Sequence, residues 1–358
     1  MPYLLDRPRQ RGRSMWPLRR PCMAAALFLA AMLAAAPDTR ADTPAATVLA
    51  KEDAQALLAR IQDAARKLDF AGTVTYQQGE FIQSSRLVHM VDGNGEHERL
   101  EVMDGEAREY LRRNDDVQCL IPARKTVLVE RRRADRFPGL LLGSPVAVPH
   151  YYQVTTEPAL RRVAGRQCRV ITIQPLDQQR YGYRLCADAQ NDLLLKAQTL
   201  NGDNAVVEQV TFSALRLGSE VQGTELASKW STQGWDVVQV DMKPVDLAAK
   251  GWRIPLPPGF MQVSQVARNM GQAGTGRGEA VSQLVISDGL AAISIFIEPY
   301  DKKRHGQQPQ GAYRRGAINV YGTRIADYWL TALGEVPPAT LQTLAQATEY
   351  VPPAPVTQ

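Results

Sequence analysis

Apolar residues recur at spacings of three and four after residue 50: Ala54, Leu57, Leu58, Ile61, Ala64, Ala65 and Leu68. That spacing draws one stripe down a cylinder and predicts an amphipathic helix over 51–68. After Leu68 the period changes to two, which predicts strands at 70–77, 81–91, 99–103, 109–113, 117–121 and 126–131. Asp92-Gly93-Asn94-Gly95 is a turn between the second and third, because Gly and Asn tolerate positive φ. Residues 137–152 are apolar but broken by Pro and Gly too often for a regular element, and read as a long apolar loop or a short helix. Strands resume at 166–175, 180–189, 193–200 and 205–215, with a hairpin turn at Asn201-Gly202-Asp203-Asn204.

The alternation stops between about 217 and 250, where a polar stretch precedes a segment with four prolines. This divides the chain into a domain at 42–220, a linker at 221–251 and a smaller domain at 252–348, with 349–358 as a Pro-rich disordered tail. The second domain opens with a Gly-rich loop at 269–279. Strands at 281–287 and 290–300 meet at Asp288-Gly289, with Ile293, Ile295 and Ile297 on one face. Residues 316–336 read as another pair of strands around Tyr321-Gly322. A helix beginning at Pro338 carries Leu341, Leu344 and Thr348. A helix with a wide apolar stripe, followed by about eight strand-like segments, suits one curved antiparallel sheet wrapped around helices. The expected class is α+β: a half-barrel and a smaller α+β domain.

The formal net charge is +5. Residues 1–41 hold seven basic residues and two acidic ones, so residues 42–358 hold 35 of each and are neutral. The N-terminal segment has an Arg-rich flank ending at Arg19-Arg20, a 14-residue apolar run from Met23 to Ala36, and Thr39-Arg40-Ala41. That is the order of a cleaved secretory signal, and the run is shorter than a spanning helix. An uncleaved anchor is the alternative, and Met15 is an alternative start. A neutral chain argues against a phosphate-driven nucleic-acid binder. In an oxidising compartment a disulfide is expected. A hairpin centred on Asp177 sets Cys168 opposite Cys186 and leaves Cys119 outside the bridge.

Catalytic constellations are poor. His89 and His97 flank the 92–95 turn and with Glu96 or Glu98 offer at most a weak zinc set; a solvated strand face is the plainer reading, and no metal site is expected. The Gly-rich loop fits neither phosphate-binding pattern. Basic clusters at 112–113, 131–133, 161–162, 302–304 and 314–315 are locally balanced by acids. The more informative feature is an apolar concavity with 137–152 at its lip, unless that loop simply plugs the sheet.

Several segments resemble the RseB/MucB family: "DFAGTVTYQQGE" (69–80), "RLVHMVDGNGEHERLEVMDGEAREYLRRNDDVQCLIP" (86–122), "ISDGLAAISIFIEP" (286–299) and "RRGAINVYGTRIADYWLTALGEVP" (314–337). The resemblance runs in order through both halves. It implies a periplasmic negative regulator of the envelope-stress sigma factor (sigma-E or AlgU). Such a protein binds the periplasmic domain of a membrane anti-sigma factor (RseA/MucA) and shields it from the first-cut protease. It implies a LolA/LolB-like N-terminal half-barrel, release by lipid or lipopolysaccharide, self-association into a homo-oligomer, and no cofactor. On that reading Leu57, Ile61, Phe137, Leu140, Leu141, Leu142 and Tyr151 are candidates to line a lipid site, with Arg131, Arg132 and Arg133 near the headgroup. Arg314, Arg315, Asn319 and Tyr321 are candidates to meet the partner. A lipid or lipoprotein carrier of the LolA/LolB type is the rival reading, and an exported hydrolase a more distant one.

Overall fold

The stripe folds as a helix over Lys51–Lys67, with Glu52 and Asp53 in its first turn and Arg66 and Lys67 in its last. Those charges oppose the helix dipole at each end. In this computed structural model, which describes residues 45–131, 137, 147–239, 242–269, 280–315 and 318–353, the buried face is Ala54, Leu57, Leu58, Ile61, Ala64 and Ala65. Leu57, Leu58 and Ile61 pack with Ile171, Ile173, Leu185 and Leu194 of the sheet. Full burial of each such side chain is worth about 1.5–3 kcal/mol. The expected signal segment and the 269–279 loop, apart from Asn269, lie outside the described residues.

The N-terminal sheet is built from two antiparallel meanders. Its order is Thr47–Val48, Tyr152–Thr156, Arg166–Pro175, Gly182–Asp188, Leu194–Leu200, Val206–Leu217, Phe70–Gln78, Phe81–Asp92, Gly95–Val102, Arg108–Arg113, Asp116–Ile121, Thr126–Arg131 and Asp236–Gln239. The meanders join where Phe70–Gln78 pairs with Val206–Leu217. The register shifts there between Phe212 and Ala214, and such a bulge bends and twists a strand. A Cβ on Gly72 would sit within 3.0 Å of the Phe212 ring and run into the carbonyl oxygen of Ala214. Gly72→Ala is therefore expected to cost about 1–3 kcal/mol, read as a lower urea midpoint at unchanged slope; an unchanged midpoint would show that the joint is loose.

The second sheet has the order Met242–Pro244, Met261–Asn269, Ala280–Ser287, Ala292–Pro299, Tyr328–Gly334, Ile318–Ile325 and Gly311–Arg315. Ile293, Ile295 and Ile297 all turn inward, as their alternation requires. The helix Pro338–Gln346 closes this core with Leu341 and Leu344. The fold is α+β, a half-barrel-like sheet around its helix and a smaller sheet domain.

Several expectations differ from what forms. The strand pair read around Tyr321-Gly322 turns instead at Ala326-Asp327, where Ala326 takes φ 49°. Gly322 lies mid-strand, paired with Gly311 and Thr331, and a Cβ there would stand 2.9 Å from the Trp329 ring. The strands Tyr152–Thr156, Met261–Asn269 and Gly311–Arg315 were not legible in the alternation. Part of the 221–251 stretch is structured: Asp236–Gln239 runs parallel to Thr126–Arg131, and Met242–Pro244 extends the second sheet. The tail read as disordered from 349 begins as a strand. Glu349–Tyr350 pairs with Trp252–Arg253, and Tyr350 packs on Trp252 and Tyr328, burying apolar ring surface that disorder would leave in water. Residues 354–358 lie outside the described residues.

Candidate functional site

The loop between the paired strands Arg166–Pro175 and Gly182–Asp188 reaches out against the second domain. Arg180, fully buried, donates from Nε to Asp288 Oδ2 at 2.6 Å. It also meets Asp177 and the carbonyl of Pro258, and lies over the rings of Tyr151 (4.7 Å) and Phe260 (5.0 Å). Tyr152 donates its hydroxyl to the same Asp288 oxygen at 2.8 Å. Asp288 Oδ1 accepts the backbone N–H groups of Leu290 and Ala291. Every lone-pair direction of that buried carboxylate is therefore engaged, the condition under which a buried ion pair holds. Burial, then Tyr183 and Asp288, pushes the Tyr152 hydroxyl well up and keeps it a donor. Asn319 Nδ2 reaches Tyr181 Oη (2.9 Å) and the Val336 carbonyl (2.8 Å), and Thr340 Oγ1 reaches the Gln179 carbonyl. The two domains are thus pinned along this loop.

Beside the pin, a cavity of about 640 Å³ opens between the sheets. Its walls include Val74, Leu100, Leu194 and Val210 from the first sheet, Leu333 from the second, and Leu290 from the turn before Ala292–Pro299. The volume is that of a small-molecule site. At one place the wall is polar. Glu208 accepts hydrogen bonds from Tyr76 Oη (2.9 Å) and Thr199 Oγ1 (3.1 Å). Glu335, immediately after the strand Tyr328–Gly334, lines the same cavity as Glu208. The surrounding protein, and after it the charge of Glu208, raises the Glu335 carboxyl to about 7. Glu335 is nevertheless exposed, so solvent screens the pair and little of this shift is felt as folding stability. Burial and the charges of Glu335, Asp288 and Glu208 raise the Tyr183 hydroxyl, and among the described residues it has no hydrogen-bond partner.

Few of the residues singled out by sequence meet at this cavity. Phe137 lines it and packs on Phe212 at 5.2 Å. Leu57 and Ile61 are core beneath the sheet instead, because their stripe is consumed by Ile171, Ile173 and Leu185. Tyr151 stands at the interdomain pin. Leu140, Leu141, Leu142, Arg132 and Arg133 lie outside the described residues; Arg131 is placed by its backbone, opposite Asp116. Asn319 is buried and spent on the interdomain contacts, which removes it from an exposed partner surface. Arg314 is exposed on the outer strand, and Arg315 is placed by its backbone opposite Ile318. Tyr321 is half-buried against the second core.

Cys168 and Cys186 are joined, Cα to Cα 5.3 Å. The hairpin register is two residues off the expected one. Cys168 faces Asp188 and Val170 faces Cys186, so the bridge runs diagonally on one face. The histidines do not meet, since His89 pairs with Glu98 and His97 with Met90, on opposite faces. His89 is buried and stacks on Phe70 at 4.7 Å. Among the described residues no group of three His, Cys, Asp or Glu could hold a metal ion. Sequence reasoning missed Arg180, Asp288, Tyr183, Glu208 and Glu335. Only Asp288 carried a signal, as half of an Asp-Gly turn.

Two sheets pinned beside an open, largely apolar cavity define a two-domain protein with room for a small ligand between the sheets. The chain belongs to the MucB/RseB family: residues 53–230 match the MucB/RseB N-terminal domain and residues 246–349 the MucB/RseB C-terminal domain. It is 28% identical over 299 residues to the sigma factor AlgU regulatory protein MucB of Pseudomonas aeruginosa, covering 82% of this chain and 90% of that one. It is 23% identical over 297 residues to the sigma-E factor regulatory protein RseB of Escherichia coli K12, with the same coverage. The solved structure of MucB in complex with MucA(peri) superposes with TM-score 0.63 at 28% identity, covering 83% of this chain and 99% of that one.

Proposed function

We propose that this chain is a regulatory binding protein that holds the periplasmic segment of a MucA-type anti-sigma factor and so represses an envelope-stress sigma factor. The observation that carries this reading is the match to both family domains in order, with a relative solved in complex with MucA(peri). The finer parts belong to the same proposal. The chain works in the periplasm after losing residues 1–41, shields the anti-sigma segment from the first-cut protease, and self-associates. A lipid or lipopolysaccharide acyl chain releases the segment by entering the cavity between the sheets. Burying a chain there is worth about 0.8 kcal/mol per CH₂. A ligand shifts the complex only by its differential affinity for the two states, and a cavity walled by both domains is placed to sense their arrangement. Arg314 and Tyr321 remain candidate partner contacts.

Mixing the purified chain with the periplasmic domain of its MucA-type anti-sigma factor is expected to give one co-eluting complex on size exclusion. Arg314→Glu is expected to weaken it about tenfold, the worth of one exposed charge reversed at an interface. Separate elution, with lipid carried on this chain, would instead support the carrier reading.

A further inference from the structure

We propose that three neighbouring turns at one end of the N-terminal sheet dock onto a zwitterionic phospholipid surface, with Phe81, Ile82, Met103 and Val206 as the inserted side chains. All four are large, apolar and exposed: Phe81 by 54%, Ile82 by 56%, Met103 by 50% and Val206 by 45%. The strand registers bring them together. The turn at 79–80 joins Phe70–Gln78 to Phe81–Asp92, and Gln77 pairs with both Ile82 and Gln209, which sets the turn at 201–205 beside it. On the other side Ser85 pairs with Val102, and Met103 donates its N–H to the Ser84 carbonyl at 2.9 Å. Gly79 (φ 54°) and Asn204 (φ 59°) keep two of the turns tight.

The placement of the apolar groups selects a lipid phase as the occupant. Successive strand residues point to opposite faces. Gln83 and Ser85 line the cavity, so Phe81 shares their face and Ile82 stands on the other. A protein partner laid on the sheet would cover one of these faces. A lipid phase surrounds a tip on both. Contiguous exposed apolar surface of this kind marks a protein or membrane contact. The tip is also continuous with the cavity: the Phe81 ring meets that of Tyr76 at 6.2 Å, and Tyr76 lines the cavity wall. An acyl chain leaving the surface would pass from one apolar environment into another.

Charge selects the headgroup. Residues 79–82, 103–107 and 201–206 include Glu80, Asp104, Glu106 and Asp203 and no Lys, Arg or His. Arg108, the next residue along the chain, is paired with Glu106 at 2.9 Å. An anionic bilayer would repel these carboxylates, as it attracts basic segments. The ammonium groups of phosphatidylcholine and phosphatidylethanolamine would lie at their level once the tips are inserted. The proposal rests on the lipid reading of the cavity and adds to it the surface from which the lipid is taken.

The test is cosedimentation of the whole protein with vesicles of phosphatidylcholine and phosphatidylethanolamine, or of phosphatidylglycerol, at low and high salt. Binding to the zwitterionic vesicles is expected to be at least about tenfold tighter at low salt, with the gap narrowing as salt screens the repulsion. Ile82→Ser with Met103→Ser is expected to weaken zwitterionic vesicle binding by about tenfold or more. Neither residue lines the cavity, so the double variant is expected to bind monomeric dihexanoyl phosphatidylcholine as the parent does. Equal vesicle binding by parent and variant, or tighter binding to phosphatidylglycerol, overturns the proposal. So does a dimer that the variant loses, which would assign the tips to a second copy. If the parent ignores both vesicles yet binds the monomeric lipid, docking fails and the lipid reading of the cavity stands; failure of the monomeric lipid as well overturns both.

Discussion

Replacing Arg180 with alanine is expected to lower the free energy of unfolding by about 3–5 kcal/mol, the usual cost of removing one partner from a buried ion pair. The charge left behind explains the size. Asp288 stays fully buried, held by Tyr152 and by the N–H groups of Leu290 and Ala291, with no other ion-pair partner among the described residues. The rings of Tyr151 and Phe260 lose the guanidinium that lies against them. Arg180→Lys is expected to recover less than half of the loss, because an ammonium cannot reach Asp177, Asp288 and the Pro258 carbonyl in one planar fork. Chemical unfolding of the three proteins checks this, and a double-mutant cycle with Asp288→Asn isolates the pair. A loss below about 1 kcal/mol for Arg180→Ala would mean that the domains are held by the apolar contacts alone.

The second large effect is expected at Cys168 and Cys186. The bridge closes a loop with a sequence separation of 18, for which chain entropy gives about 3 kcal/mol. Both sulfurs are buried in the cluster that includes Phe70, Leu87 and Phe212, so replacement also leaves unfilled volume. Cys168→Ala with Cys186→Ala is expected to cost about 2–5 kcal/mol, read as a lower denaturation midpoint. A midpoint that stays with the parent's would show that the hairpin needs no staple. Cys119, on Asp116–Ile121 in the other meander, takes no part in the bridge.

Legibility tracked the range of the interaction. The helix at Lys51–Lys67 was plain because its stripe is a local property, and so were long alternating strands such as Phe81–Asp92 and Ala292–Pro299. Short strands such as Met242–Pro244 and Glu349–Tyr350 were not, since two or three residues hold no period and form only where a neighbour offers an edge. Turn residues misled twice. Tyr321-Gly322 resembles a turn, yet Gly322 is there for the Trp329 ring; the real turn, Ala326-Asp327, contains no glycine. Centring the 168–186 hairpin on Asp177 opposes its cysteines directly, while the register that forms is two residues away.

What the amino-acid order determined by itself is a set of faces: which residues of the long helix and of the clearly alternating strands turn inward, the α+β class, and the family motifs in both halves. Periodicity carries that much because side-chain direction is set by backbone geometry within a few residues. Which inward faces meet was decided only by the tertiary structure. Arg180 and Asp288 are 108 residues apart, and Tyr152 and Asp288 are 136 apart. Glu208 and Glu335 come from different domains. An isolated Arg, Tyr or Glu in a strand-rich chain has the same local pattern whether it faces water or a buried partner. Burial and pairing are properties of two surfaces together, so the interdomain pin and the acidic end of the cavity exist only once the sheets have closed on one another.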